Sequence, residues 1–167
     1  MIKQEKLTAK AAVLYILGKD PLYKEKKHRI YNILYFANKL HLEKYGSNIV
    51  EDEFYAYLLG PYPKYIADNI KEFIKSDEKF NDLDLSESNK KCLDNCYICL
   101  LSLSDLELIE HAKDYAYVAA RERENKLISF EDIVMSLNAS DDMKQYITEN
   151  YIVRKELLNL KKSINED

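Results

Sequence analysis

Turn-forming residues are nearly absent from this chain. Of its 167 residues only three are glycine and three proline, roughly 4% where an average chain carries about 12%. A β-sandwich or barrel needs a turn roughly every 8–12 residues, so a many-stranded architecture is excluded. Helices need fewer breaks. The length corresponds to about one domain of 150 residues. With 47% hydrophobic and 32% charged residues, the chain can build one sizeable core under a solvated surface. The expectation is mainly α: a compact, single-domain helical bundle with a small β element near residues 48–59.

Charge narrows the partners. Lys and Arg total 25 against 29 Asp and Glu, a net charge of −4 and a pI near 5.5. Only Arg29, Arg121, Arg123 and Arg154 can offer a guanidinium fork. Nucleic-acid binders take most of their affinity from basic faces on phosphates, so a protein or a small molecule is the expected partner. The apolar run in AKAAVLYIL near the N-terminus is too short to span a bilayer. No membrane segment or signal peptide is expected. Three cysteines do not make a disulfide framework, which suits a reduced, cytoplasmic protein.

Along the chain, Leu7-Thr8 before AKAAVLYIL reads as a helix start, with Gly18 and Pro21 ending the helix. From about Lys24 to Tyr45, Ile30, Ile33, Leu34, Ala37 and Leu40 recur at helical spacing, and Gly46 follows where a left-handed cap belongs. Residues 47–59 alternate Phe54, Ala56 and Leu58 with Tyr55, Tyr57 and Leu59, the pattern of one or two short strands. Gly60-Pro61-Tyr62-Pro63 is expected to turn, with Pro63 opening a helix through Ile66, Ile70, Phe73 and Ile74. Ser76 to Asn89 reads as a polar, acidic loop. A helix over about Glu87–Leu101 follows. The capping box Ser104-Asp105-Leu106-Glu107 then opens a helix expected to reach about Glu122. Ser129 opens a shorter one. The last begins near Asp141, where Tyr146, Asn150, Val153, Leu157, Leu160 and Ile164 form a narrow seam at four- and three-residue spacing. The expected division is residues 1–140 as the domain and 141–167 as an amphipathic helix packed on it or on a partner.

Chemistry-bearing clusters are sparse. Cys92, Cys96 and Cys99 share one face of a predicted helix. Three thiolates and a histidine could hold zinc, but no second cysteine pair completes a knuckle, and buried packing is the usual fate of free cysteine. His28, His41 and His111 could serve as bases, yet these cysteines sit among Leu and Ile, where burial raises a thiol pKa. No phosphate loop, G-x-S-x-G or H-E-x-x-H is present. No catalytic residue, metal site or cofactor is assigned.

The tyrosines say more. There are fourteen, against five Phe and no Trp. Tyrosine carries a large stiff ring with a polar tip and is enriched at interfaces. Tyr55, Tyr57, Tyr62 and Tyr65 cluster around Gly60, Pro61 and Pro63. These seven residues are the candidate partner-binding surface, with Tyr57, Tyr62 and Tyr65 as anchors, while Phe36, Leu40 and Phe54 are assigned to the core.

Residues 33–66, ILYFANKLHLEKYGSNIVEDEFYAYLLGPYPKYI, resemble the Panacea domain found in SocA-like antitoxins and in phage-associated proteins of the GepA type. The resemblance rests on Leu34-Tyr35-Phe36-Ala37 in a helix, Gly46 at its end, the extended Asp52–Ala56 stretch, and Gly60-Pro61-Tyr62-Pro63. Downstream, Glu107-Leu108, His111, Tyr115 or Tyr117, and the segment from Ile128 to Ile133 are similar to the family pattern, without its usual Trp. The similarity spans about residues 9–138.

The resemblance implies a mainly α protein that neutralises a cognate protein toxin by direct contact. It also raises two other outputs, an adaptor handing its toxin to a ClpXP-type protease and a phage-associated regulator of host proteins. A small metal-dependent hydrolase using His41, His111 and the cysteines is the reading from a different class.

Overall fold

The organising element is a helix that touches almost every other part of the molecule. The computed structural model describes residues 1–75, 80–81 and 84–164. Helix α1 (Lys3–Lys19) and a turn of 3-10 helix (Pro21–Lys24) lead into α2 (Lys27–Tyr45). Ile30, Ile33, Leu34 and Ala37 on α2 are buried, but so are Arg29, Asn32, Tyr35, Asn38 and His41. Helix α2 is thus the central helix, and its polar residues are internal connectors. Gly46 ends it at φ +70°, the left-handed cap expected from sequence.

A hairpin follows, β1 (Phe54–Tyr57) and β2 (Gly60–Pro63), paired antiparallel in the register Phe54 with Pro63 and Tyr57 with Gly60. The turn is Leu58-Leu59, and the proline segment is a strand, which corrects the expected turn at residues 60–63. Backbone alternation explains the tolerance. Ala56 N donates to Lys126 O and Phe54 O accepts from Ile128 N, both at 2.8 Å. The β1 groups facing β2 therefore belong to Tyr55 and Tyr57, opposite Tyr62 and Gly60. Pro61 and Pro63 fall where the ladder needs no N–H. The left-handed demand of the connection is met by Gly60 at φ +101°, as in hairpins whose turn is followed by a left-handed glycine.

Helix α3 (Lys64–Lys75) starts one residue after Pro63. Part of the acidic loop expected over Ser76–Asn89 lies outside the described residues. Helix α4 (Glu87–Leu101) is capped by Ser86 and packs along α2. The helix expected from Ser104 to about Glu122 is instead two, α5 (Asp105–His111) and α6 (Tyr115–Arg121). The break has a cause: the Asp114 carboxylate accepts from Tyr117 N at 3.0 Å and so starts a new helix. The first helix likewise begins before Thr8, whose hydroxyl donates to Gln4 O within α1. Helices α7 (Phe130–Met135) and α8 (Asp141–Ile164) complete the chain. The molecule is mainly α, with one two-stranded sheet among the described residues.

The main core joins Ile16, Ile30, Ile33, Leu34, Tyr35, Phe54, Ile66, Leu93 and Leu108, with Phe36 and Leu40 packed half-buried at its edge. A smaller cluster of Leu42, Val134, Leu137 and Ile147 fastens the start of α8.

Candidate functional site

The hairpin is supported from below by polar groups that α2 and α6 carry into the interior. On α2, Asn32 Nδ2 donates to Leu59 O at 3.3 Å and to His28 O at 2.8 Å. Six residues on, Asn38 Oδ1 accepts from Ile49 N and Val50 N, both at 3.0 Å, and its Nδ2 donates to Val50 O at 2.9 Å. One buried amide thereby folds the segment that leads into β1. From α6, Tyr117 Oη donates to Tyr57 O at 2.8 Å, and Arg121 donates to Ala56 O.

Asp52 adds a further tie. Its two carboxylate oxygens accept from Tyr65 N and Ile66 N, each at 2.9 Å. A carboxylate two residues before the hairpin thus caps the helix just after it, where the amide dipoles favour negative charge. Burial pushes the Asp52 carboxyl above its ordinary pKa, opposed by these amide bonds. Beneath β1, Asp114 accepts from Tyr35 Oη at 3.0 Å and from Lys39 Nζ at 2.5 Å. Burial, then the neighbouring Asp114 charge, drive the Tyr35 phenol well above its ordinary pKa, so it stays a proton donor.

On this base stands an aromatic face. Tyr57 packs against Tyr62 with ring centroids 4.9 Å apart, and Tyr31 of α2 meets Tyr62 edge-on at 5.6 Å. Tyr55 lies 6.0 Å from Tyr57 on the same side. Burial pushes the Tyr31 phenol up to about 12. At the tip, Leu58 is 78% and Leu59 55% exposed, with Tyr57 at 46%. Two-residue connections favour Asn, Asp and Gly, so neither leucine is there for the turn, and neither is covered. Together with His28, Tyr31, Gly60 and Tyr62 they rim a cleft of about 500 Å³.

Of the seven residues expected at a binding surface, Tyr55, Tyr57 and Tyr62 come together on this outer face. Gly60, Pro61 and Pro63 are buried beneath it and shape it. Tyr65 stands apart, its ring packed towards Phe73 at 6.3 Å and under Lys6 at 5.9 Å. The sequence reading missed Leu58 and Leu59 as surface residues, and Asn32, Asn38 and Asp114 as supports. A visible signal existed for the leucines, since large aliphatics stand where a strand must reverse. For Asp114 the signal was ambiguous, because acidic residues are common on exposed helix surfaces.

Among the described residues, the histidines and cysteines considered for metal or nucleophilic chemistry lie apart. His41 has both ring nitrogens engaged, Nδ1 with Ser47 O at 2.6 Å and Nε2 with Ser88 Oγ at 3.1 Å. His111 is exposed and lies against Phe36. Cys92, Cys96 and Cys99 share one face of α4, as spacing predicts, with Cys92 and Cys96 buried and Cys99, near the end of the helix, exposed. Burial pushes the Cys96 thiol up to about 12. Among the described residues no three His, Cys, Asp or Glu side chains are grouped to hold a metal ion. No described helix is long and apolar enough to cross a membrane.

A family model described as antitoxin SocA-like, Panacea domain, matches residues 30–117, just over half of the chain. The chain belongs to that family. The matched span opens on α2 and closes on Tyr117, whose hydroxyl holds β1. It contains the hairpin, the Asp52 cap and the Asp114 hub, and it is narrower than the 9–138 suggested by the motifs. Helices α7 and α8 lie beyond it. No curated protein and no solved structure matches the chain. In this SocA-like chain, Tyr35-Phe36-Ala37, Asp52 and Gly60-Pro61-Tyr62-Pro63 all lie within the matched span and belong to one supporting framework.

Proposed function

We propose that this protein is antitoxin-like and neutralises a cognate protein toxin by direct contact, with the hairpin's outer face as the binding surface. The observation that carries this reading is the uncovered pair Leu58-Leu59 on a hairpin tied down from three sides. Burying an exposed leucine contributes about 1.5–3 kcal/mol, so two leucines and Tyr57 offer several kcal/mol to a partner that covers them. Holding the face rigid in advance lowers the ordering cost of association. Membership of the SocA-like family supplies the kind of partner. Mechanistically, the aromatic face would occlude the toxin. Tyr57 and Tyr62 are the anchors, with Tyr55 at the rim, and Gly60, Pro61 and Pro63 set the shape. Tyr65 is outside this face. Cytoplasmic action fits the buried, unpaired thiols of Cys92 and Cys96.

Co-expression with a neighbouring toxic reading frame tests the proposal. Wild-type protein restores growth, and Leu58→Asp, with an unchanged circular dichroism spectrum, does not. Rescue that survives both Leu58→Asp and Tyr57→Ala would overturn the assignment of the surface, and failure of the wild type would overturn the antitoxin reading. Toxin abundance separates outputs: occlusion leaves a stable complex, whereas delivery to a ClpXP-type protease depletes the toxin.

A further inference from the structure

The hairpin tip keeps most of its hydrogen-bond acceptors engaged and leaves its donors free. Ala56 O accepts from Arg121, Tyr57 O from Tyr117 Oη and Leu59 O from Asn32 Nδ2. Among the described residues, Leu58 O is the one carbonyl of residues 56–59 without a partner, and the amides of Leu58 and Leu59 have none either. The neighbouring cleft shows the same imbalance. Tyr31, Tyr57 and Tyr62 line it, and none of their hydroxyls meets an acceptor among the described residues. Burial first, then Tyr62 and Asp68 nearby, hold the Tyr31 phenol at about 12, and burial raises that of Tyr62. Both hydroxyls therefore keep their protons and can donate.

Other phenols in the molecule show which acceptor such a group takes. Tyr15 donates to Asp94 at 2.9 Å, Tyr35 to Asp114 at 3.0 Å and Tyr55 to Glu53 at 3.0 Å. Each acceptor is a carboxylate, the stronger partner for a hydroxyl. At the cleft no carboxylate is within reach of Tyr31 or Tyr62 among the described residues, and Asp68, whose charge both feel, is paired with Lys64 at 2.8 Å. On the rim Glu25 is exposed and Lys27 half-buried, both unpaired among the described residues, so water screens the anion more than the cation. Strand addition is closed to a partner. Lys126 and Ile128 already flank β1, and Pro61 and Pro63 leave no N–H on the outer edge of β2.

We infer that the partner presents to this cleft an acidic residue flanked by large apolar ones. Its carboxylate accepts from the Tyr31 and Tyr62 hydroxyls and faces the Lys27 ammonium, while its apolar side chains cover Leu58 and Leu59. The inference rests on the hairpin face being the binding surface, and it names the chemistry which that surface selects.

A random peptide library displayed on yeast, panned against the full chain and counter-selected on the Leu58→Asp variant, tests it. Retained sequences should carry Asp or Glu beside Leu, Ile or Phe. One such synthetic peptide is then titrated by fluorescence anisotropy. Tyr31→Phe and Tyr62→Phe keep the ring and remove only the hydroxyl, and each should weaken binding about tenfold. Lys27→Glu should weaken it roughly threefold, and Glu25→Lys should strengthen it by a similar factor. Enrichment in Lys or Arg, no enrichment at all, or binding indifferent to both Phe variants overturns the inference. Growth rescue judges the antitoxin reading separately. Rescue that is lost with Leu58→Asp but indifferent to the two Phe variants and to the rim charges keeps the binding surface and rejects the acidic partner.

Discussion

The hairpin tip and the outer part of α8 both expose large aliphatic side chains, yet they are built in opposite ways. At the tip, the carbonyls of Ala56, Tyr57 and Leu59 are each held by a side chain from another element, and an aspartate clamps the following helix. Past Tyr151, α8 has its own helical hydrogen bonds and the ion pairs of Arg154. The contrast teaches how apolar surface can be displayed. A preorganised patch binds without first paying an ordering cost, whereas a projecting helix gains much of its order from whatever pairs with it.

The contrast can be broken most severely at Asp114. Asp114→Ala leaves the largely buried Lys39 ammonium and the Tyr35 hydroxyl without their acceptor, and should cost about 3–5 kcal/mol of stability in urea denaturation. If the loss is small, the hub is not what supports β1. Gly60→Ala comes next. Its Cβ would lie 2.5 Å from Asn32 Oδ1 on a backbone at φ +101°, a strain of about 1–3 kcal/mol. Growth rescue should fall with the folded fraction.

Leu58→Asp separates display from support. Stability should stay within about 0.5 kcal/mol, while toxin affinity should drop by about 2 kcal/mol, roughly 30-fold. Calorimetry on the purified pair reads both. A lost fold with unchanged affinity per folded molecule would reverse their roles.

The smallest effect is on pH dependence. Burial holds the His41 imidazole below its ordinary pKa of 6.5, partly offset by the bond to Ser47 O. As pH falls through 6.5 the unfolded chain takes up this proton first, so stability declines towards the lowered folded value. The slope contributed by this one group cannot exceed about 1.4 kcal/mol per pH unit. His41→Gln should remove that part of the slope, as read by thermal melts between pH 5 and pH 7.5. An unchanged slope would mean that His41 is not the residue responsible.

Much of the secondary structure was legible because its causes are local. Gly46 after an apolar periodicity ends α2, and Ser104 with Glu107 spells the cap of α5 in four residues. The alternation at residues 54–57 marks β1. The second strand was not legible, because two prolines in four residues look like a turn until the partner strand is known. Nor was the break between α5 and α6, since Asp114 interrupts a helix whose composition is continuous. Within the candidate site, the rings of Tyr55, Tyr57 and Tyr62 were anticipated, and Tyr65 was placed with them only because it is near in sequence. Tyr65 instead belongs to α3 and its ring packs towards Phe73.

By itself the sequence determined the helical class, the place of the first strand and the family motif, all of which follow from spacing, caps and scarce turn residues. Tertiary structure alone decided that α2 is a buried hub, that Asp114 and Tyr35 meet across 79 residues, and that Leu58 and Leu59 are left uncovered. Periodicity reports which residues could be inside. Which polar groups find partners there, and which apolar ones find none, depends on contacts between segments far apart in the chain, where no local pattern records them.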